Sequence, residues 1–277
     1  MASAVFREGL LAGQVAIVSG AGSGLGRAMA LELAGLGARV TVCGRRMGPL
    51  EETAAMGEGI EPVACDIREE EQVAALVDGV VARHRRIDLL VNNAGGQYMA
   101  GAEDIAPKGF RTVVRLNLEG TWLMTHAVAT KAMIPAGRGK VVSITLSPHH
   151  GMPGMAHSSA SRAGVENLMR ALATEWARHG LQLNAIAAGQ IGTETMLTKY
   201  PKSVVEATAS TIPAQRLGRE EEIAWLVAYL AGPGGDFISG TVLTVDGGRD
   251  NWEGAWPPGS AADEAGHPLV EARRQAT

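Results

Sequence analysis

The sequence predicts an α/β protein built on one doubly wound parallel sheet of about seven strands, with helices on both faces. Three features carry that expectation. Short, almost uninterrupted apolar runs recur along the chain, as strands buried on both faces require. Stretches with helical apolar spacing separate them and supply the crossovers that parallel strands need. The first apolar run enters a glycine-rich turn, Gly20-Ala21-Gly22-Ser23-Gly24-Leu25-Gly26, which leads into a helix-forming stretch beginning Arg27-Ala28-Met29.

Taken in order, the first strand is Val15 to Ser19, ended by Gly20. The second, Arg39 to Cys43, and the third, Glu61 to Cys65, each end on a cysteine. Neither cysteine has a CxxC partner, so Cys43 and Cys65 read as small buried residues rather than a disulfide framework or a metal site. A helix over Glu69 to Arg83 precedes the fourth strand, Leu89 to Asn92. A helix over Thr121 to Met133 leads to the fifth strand, Lys140 to Thr145, and a long helix over Ala163 to Arg178 leads to the sixth, Gln182 to Ala187. A helix over Glu220 to Leu230 and a seventh strand, Thr241 to Val245, complete the pattern. No repeat and no internal boundary precedes Gly248, so residues 1–248 read as one domain. Residues 249–277 are rich in Pro, Gly and polar side chains. They read as a tail, either loosely ordered or docked through Trp252 and Trp256 on a neighbouring subunit.

Hydrophobic residues make up 46% of the 277 and charged residues 19%, enough apolar content for a sizeable core and too little charge for a disordered chain. The net charge of −4 comes with no basic stripe, which argues against a nucleic-acid partner. No apolar run reaches membrane-spanning length and the N-terminus lacks an apolar leader core, so the expected location is the cytoplasm.

Strand, glycine turn and helix in that order make a Rossmann-type dinucleotide site. Glycine lets the backbone approach the pyrophosphate, and the helix N-terminus offers free N–H groups to it. Gly20, Ser23, Gly24, Leu25 and Gly26 are the expected contacts. The second strand continues Cys43-Gly44-Arg45-Arg46, with no carboxylate to accept the 2′-hydroxyl of NAD. Two guanidiniums there suit a 2′-phosphate, so NADP(H) is favoured over NAD(H). The bland alternative is a pair of solvated arginines. Asp66, followed by Ile67, is placed to accept a hydrogen bond from the adenine amino group.

From Gln14 to Gly248 the chain resembles the short-chain dehydrogenase/reductase family. The resemblance rests on the glycine turn with Ser19 before it, Asn92-Asn93-Ala94-Gly95 after the fourth strand, and Asn117. Ile212-Pro213 through Arg216-Leu217-Gly218 and the closing Val245-Asp246-Gly247-Gly248 add to it. Within the family, Asn93-Ala94-Gly95-Gly96-Gln97-Tyr98 and the stretch His157 to Val165 are similar to the trans-2-enoyl-CoA and 2,4-dienoyl-CoA reductase branch and to citronellol or citronellal dehydrogenases. The resemblance implies a small-molecule substrate, a homodimer or homotetramer, an active-site role for Asn117, and cofactor contacts from Asn93, Ala94, Gly95, Gly189, Ile191 and Thr193. It also exposes departures. Where the family carries Tyr-x-x-x-Lys, this chain has Ser158 and Arg162, and the family's serine falls within Thr145 to Ser147, with Thr145 the preferred position.

The resemblance gives the missing tyrosine the role of protonating an alkoxide. Arg162 still suits ribose hydroxyls, but a guanidinium does not relay protons near neutral pH. Ser158 is a poor acid. Conjugate reduction of an α,β-unsaturated acyl thioester or enone is less demanding, because positioned donors can stabilise the enolate oxygen. Thr145, Ser158, Asn117 through water, and Tyr98 are candidate donors. His149 and His150 after the fifth strand, and His157, are candidate acids; each has a plainer reading as a loop or packing residue. No metal site is expected. Met152, Met155 and Met196 read either as a substrate lid or as core filler. Alternative activities are an alcohol or carbonyl dehydrogenase on an apolar, terpenoid-like substrate, and a repurposed or non-catalytic dinucleotide binder.

Overall fold

Seven parallel strands in the order β3-β2-β1-β4-β5-β6-β7 form one sheet. This computed structural model describes residues 3–147 and 149–252; Trp256 lies outside them. The strands are β1 (Val15–Ser19), β2 (Arg39–Gly44), β3 (Ile60–Ala64), β4 (Leu89–Asn92), β5 (Gly139–Leu146), β6 (Leu181–Ala188) and β7 (Val242–Val245). Each lies within a residue or two of its expected place. The intervening helices are α1 (Gly24–Gly35), α2 (Met47–Ala55), α3 (Glu70–His84), α4 (Pro107–Val114), α5 (Gly120–Val128), α6 (Ile134–Ala136), α7 (Ala156–Trp176), α8 (Glu194–Lys199), α9 (Lys202–Ser210) and α10 (Glu220–Ala231).

Two cores, one on each face, hold the layers together. On one face Val18, Val42 and Ile186 pack with Met29 and Leu33 of α1 and Ile223 and Val227 of α10. On the other, Ile17, Leu90 and Leu183 pack with Val77 of α3, Met124 of α5 and Met169 of α7. Successive strand residues point to opposite faces, so near-continuous apolar strands serve both cores.

Strand order reverses between β1 and β4, which opens a crevice at the carboxyl ends of those strands. Two helices depart from expectation. The segment read as one helix over Thr121 to Met133 is preceded by a π turn at Arg115–Glu119 and interrupted by a second at Ala129–Met133. Such insertions are invisible to apolar periodicity and concentrate at functional positions; the first contains Asn117. Helix α7 starts about two turns before the apolar spacing begins at Ala163, because its first turns bury small polar residues, Ser158 and Ser161, that carry no apolar signal. Met155, just before α7, is buried. No helix among the described residues is long and apolar enough to cross a membrane.

Candidate active site

The glycine turn is a tight cradle. Gly20 has φ +68°, and a Cβ on it would meet the Ala94 backbone at 2.8 Å. Gly26 packs so closely on the turn that a Cβ would lie 2.6 Å from the Asn93 Nδ2. The Asn93 side chain donates to the carbonyls of Ser19 (3.0 Å) and Gly20 (3.2 Å), and the Ser19 hydroxyl accepts from the backbone N–H groups of Asn93 and Ala94. Asn93 therefore ties the end of β4 to the turn after β1. Arg27 and Thr53 brace the turn from below, donating to Gly22 O (2.7 Å) and Ala21 O (2.9 Å). The sequence did not single out that pair.

A cavity of about 260 Å³ lies over this cradle, lined by Gly20, Ser23, Arg45, Arg46, Asp66, Ile67, Asn93, Ala94 and Gly95 among others. Arg45 and Arg46 are exposed at its rim. Asp66 is held by Arg68, which donates through Nε (2.9 Å) and Nη2 (2.5 Å). The Arg68 guanidinium keeps the Asp66 carboxyl down at about 2, against the cost of partial burial and with help from the charge of Arg45. Asp66 lines the cavity, as expected of an adenine contact, with its carboxylate held from behind by Arg68. Thr193 approaches from the opposite side, its Cγ2 3.8 Å from where a Gly24 Cβ would sit, and its hydroxyl caps α8 by accepting from Met196 N at 3.2 Å.

A second cavity, about 330 Å³, shares Asn93 and Gly95 with the first. Leu25, Gly96, Gln97, Ile144, Thr145, Leu146, Arg162, Ala188 and Gly189 complete its lining. Helix α7 presents Ser158, Arg162 and Glu166 at four-residue spacing, one stripe along one face. Arg162 donates from Nη1 to Ile144 O at 2.6 Å, while its Nη2 lies against Gly95. Its buried Nε has no hydrogen-bond partner among the described residues. Burial lowers the Arg162 pKa to about 10, still charged at neutral pH.

The other candidates are distributed as follows. Asn117 is fully buried; it accepts from Gly96 N (2.9 Å) and donates to Gly96 O and the Ser161 hydroxyl, both at 3.1 Å. Its side chain therefore clamps the loop after β4. The Ser158 hydroxyl is buried and donates to the Gln97 side chain at 2.7 Å. Tyr98 is 42% exposed, edge-on to the buried His157 ring at 4.4 Å, with its hydroxyl against Gly109 of α4. Neither Ser158 nor Tyr98 lines the second cavity. Thr145 does, and Ser147 instead turns to Asp246, at 2.6 Å. Gly189 is pressed against Asp246, and Ile191 pairs with Gly218, which sets the floor beside α8.

One cluster was not anticipated. Thr145 donates to the buried carboxylate of Glu166 at 2.8 Å, and the His149 Nε2 lies 3.3 Å from the same oxygen. Asp250 holds the other ring nitrogen of His149 at 2.5 Å and accepts from its backbone N–H at 2.6 Å. Burial of the ring opposes its charge, but the Asp250 hydrogen bond and the Glu166 charge outweigh that and raise the His149 pKa. Four-residue spacing from Arg162 was the available signal for Glu166; no local signal marked Asp250. Among the described residues no group of three or more His, Cys, Asp or Glu side chains is placed to hold a metal ion.

Comparison with known proteins agrees with this geometry. Residues 20–250 match the family model described as enoyl-(acyl carrier protein) reductase. A probable 2,4-dienoyl-CoA reductase from Bacillus subtilis is 35% identical over 250 residues, covering 87% of this chain and 97% of the relative. Gluconate 5-dehydrogenase of Gluconobacter oxydans is also 35% identical, covering 86% and 95%. A solved citronellol catabolism dehydrogenase from Pseudomonas aeruginosa superimposes with a TM-score of 0.80 at 40% identity, covering 89% of this chain and 98% of that one. A glycine cradle, a crevice at the strand reversal and this match over most of the chain make the protein an oxidoreductase of the short-chain dehydrogenase/reductase family, which uses a nicotinamide cofactor.

Proposed function

We propose that this protein is an NADP(H)-dependent reductase of α,β-unsaturated acyl thioesters or enones. The observation that carries the proposal is Arg162. It places a guanidinium in the cavity wall where the family's lysine stands, and no carboxylate pairs with it among the described residues. An unpaired cation suits an oxygen that gains charge as an enolate. It does not suit ketone reduction, which needs a proton handed to an alkoxide, and the nearby Ser158 hydroxyl is committed to Gln97. Relatives named as 2,4-dienoyl-CoA reductases favour the same reading.

The residues fit the cofactor: the cradle leaves no room for a Cβ at Gly20 or Gly26, as a pyrophosphate site requires. The turn and the N-terminus of α1 hold the phosphates, with Thr193 opposite. Arg45 and Arg46 take the 2′-phosphate, supported by the absence of a carboxylate at the end of β2. When bound, the nicotinamide supplies the hydride. Asn93, Ala94 and Gly95 wall its site, and Arg162 reaches toward ribose and substrate oxygen together. Assembly as a homodimer or homotetramer, as the family commonly does, belongs to the same reading.

NADPH consumption with a medium-chain trans-2-enoyl-CoA, run beside ketones, alcohols and direct cofactor binding, tests the proposal. Turnover of the enoyl thioester sustains it; fast ketone reduction with none overturns it. The 40% identity to a citronellol catabolism dehydrogenase favours a second reading, oxidation of an apolar alcohol. Cofactor binding without turnover on any of these substrates would point to a repurposed or non-catalytic binder.

A further inference from the structure

We propose that Thr145, Glu166 and His149 form a proton-delivery path from the protein surface to the substrate cavity, with Asp250 as the residue that positions His149. The inference rests on the reductase reading, which leaves the source of the final proton open. Thr145 lines the cavity and donates to Glu166 at 2.8 Å. Glu166 is buried among α7 and β5 and meets the His149 Nε2 at 3.3 Å. His149 is 29% exposed at its side chain, so its ring spans from the buried carboxylate to solvent. A hydroxyl, a carboxyl and an imidazole in contact provide a continuous chain of exchangeable protons.

The balance is simple. As the substrate takes the Thr145 hydroxyl proton, that O–H bond breaks, and the Nε2 proton of the His149 imidazolium passes to the Glu166 carboxylate and on to the Thr145 oxygen. Glu166 returns to its carboxylate form, and a proton from solvent restores the His149 imidazolium. One solvent proton enters for each substrate proton delivered, and all three side chains return to their starting state.

The charged groups around His149 are Glu166 from α7, Asp250 after β7, the neighbouring His150 (Nε2 4.0 Å from Asp250), and Asp246, which accepts from Asp250 N at 2.7 Å. Arg162 lies one turn before Glu166, but its guanidinium is turned to Ile144 and Gly95. Acidic groups therefore face both ring nitrogens, and they favour its protonated form.

Two measurements test the path, one without any substrate. In histidine-labelled protein, with His149 assigned by His149→Gln, the NMR titration midpoint of His149 is expected above the ordinary histidine range and should fall in Glu166→Gln. If Glu166→Gln fails to fold, Asp250→Asn should lower the same midpoint from the other side. A midpoint in the ordinary range that ignores these changes overturns the path. With an enoyl thioester, Glu166→Gln should cut kcat by about a hundredfold and move the pH profile while NADPH affinity stays within about twofold. Unchanged kcat with an unchanged profile overturns it as well. If no enoyl thioester turns over yet His149 responds to Glu166→Gln, the reading of the reaction falls and the coupled path stands.

Discussion

Asn117 holds both backbone groups of Gly96, accepting from its N–H at 2.9 Å and donating to its carbonyl at 3.1 Å. This one side chain mimics a strand partner for the loop that forms a wall of the cavity. The π turn at Arg115–Glu119 makes the arrangement possible by widening the helix where Asn117 sits. Asn117→Ala should leave the half-buried Gly96 N–H and C=O, and the acceptor side of the buried Ser161 hydroxyl, without their partner. A loss of about 2–4 kcal/mol in denaturant unfolding is expected, with weaker cofactor binding. A change below about 0.5 kcal/mol would show that the clamp is unimportant.

Gly95 and Arg162 are in mutual contact, with Nη2 filling the space a side chain would need. Gly95→Ala should push the guanidinium off Ile144 O, costing about 1–3 kcal/mol of stability from overpacking. Turnover should fall more than stability does. Thermal melts and kinetics on the same preparation separate the two effects.

Arg45→Ala should weaken NADPH binding by about tenfold or more and leave NADH nearly unaffected, since one charge-assisted hydrogen bond is worth about 1.5–3 kcal/mol. Equal losses for both cofactors, measured by fluorescence titration, would remove the 2′-phosphate assignment.

Our reading places Ser158 at the family's tyrosine position, but its hydroxyl is spent on Gln97. Ser158→Ala should therefore cost about 1 kcal/mol of stability and leave kcat within severalfold. A loss of a hundredfold in kcat would return Ser158 to the centre of the chemistry.

The His149–Asp250 contact has a defined pH window. His149 has its folded pKa raised above the ordinary value near 6.5, so its contribution is full below that pH and is lost as pH rises through the folded value. Burial works against the Asp250 carboxylate, but its hydrogen bond with His149 wins and lowers the pKa, so this contribution is full above about 4 and is lost as pH falls. Asp250→Asn should thus lower Tm by a few degrees at about pH 5–6, for a pair worth about 1 kcal/mol, with the difference shrinking by about pH 9. A difference independent of pH would contradict the assignment.

The sequence by itself determined the parallel sheet and the glycine cradle, because each is written in neighbouring residues: apolar runs and a turn beside a strand. The π turn at Asn117 escaped notice, since one extra residue in a helical turn leaves no mark on apolar spacing. The Arg68 brace on Asp66 also went unread, because Arg68 is an unremarkable surface arginine until the backbone turns it back on its neighbour. The polar cluster was decided only by the tertiary structure. Thr145 and Glu166 are 21 residues apart, and His149 and Asp250 are 101 apart. Their meeting depends on β5 and β7 ending, and α7 beginning, at the same edge of the sheet. Burial there, set by packing rather than by local sequence, is what makes those charges interact strongly.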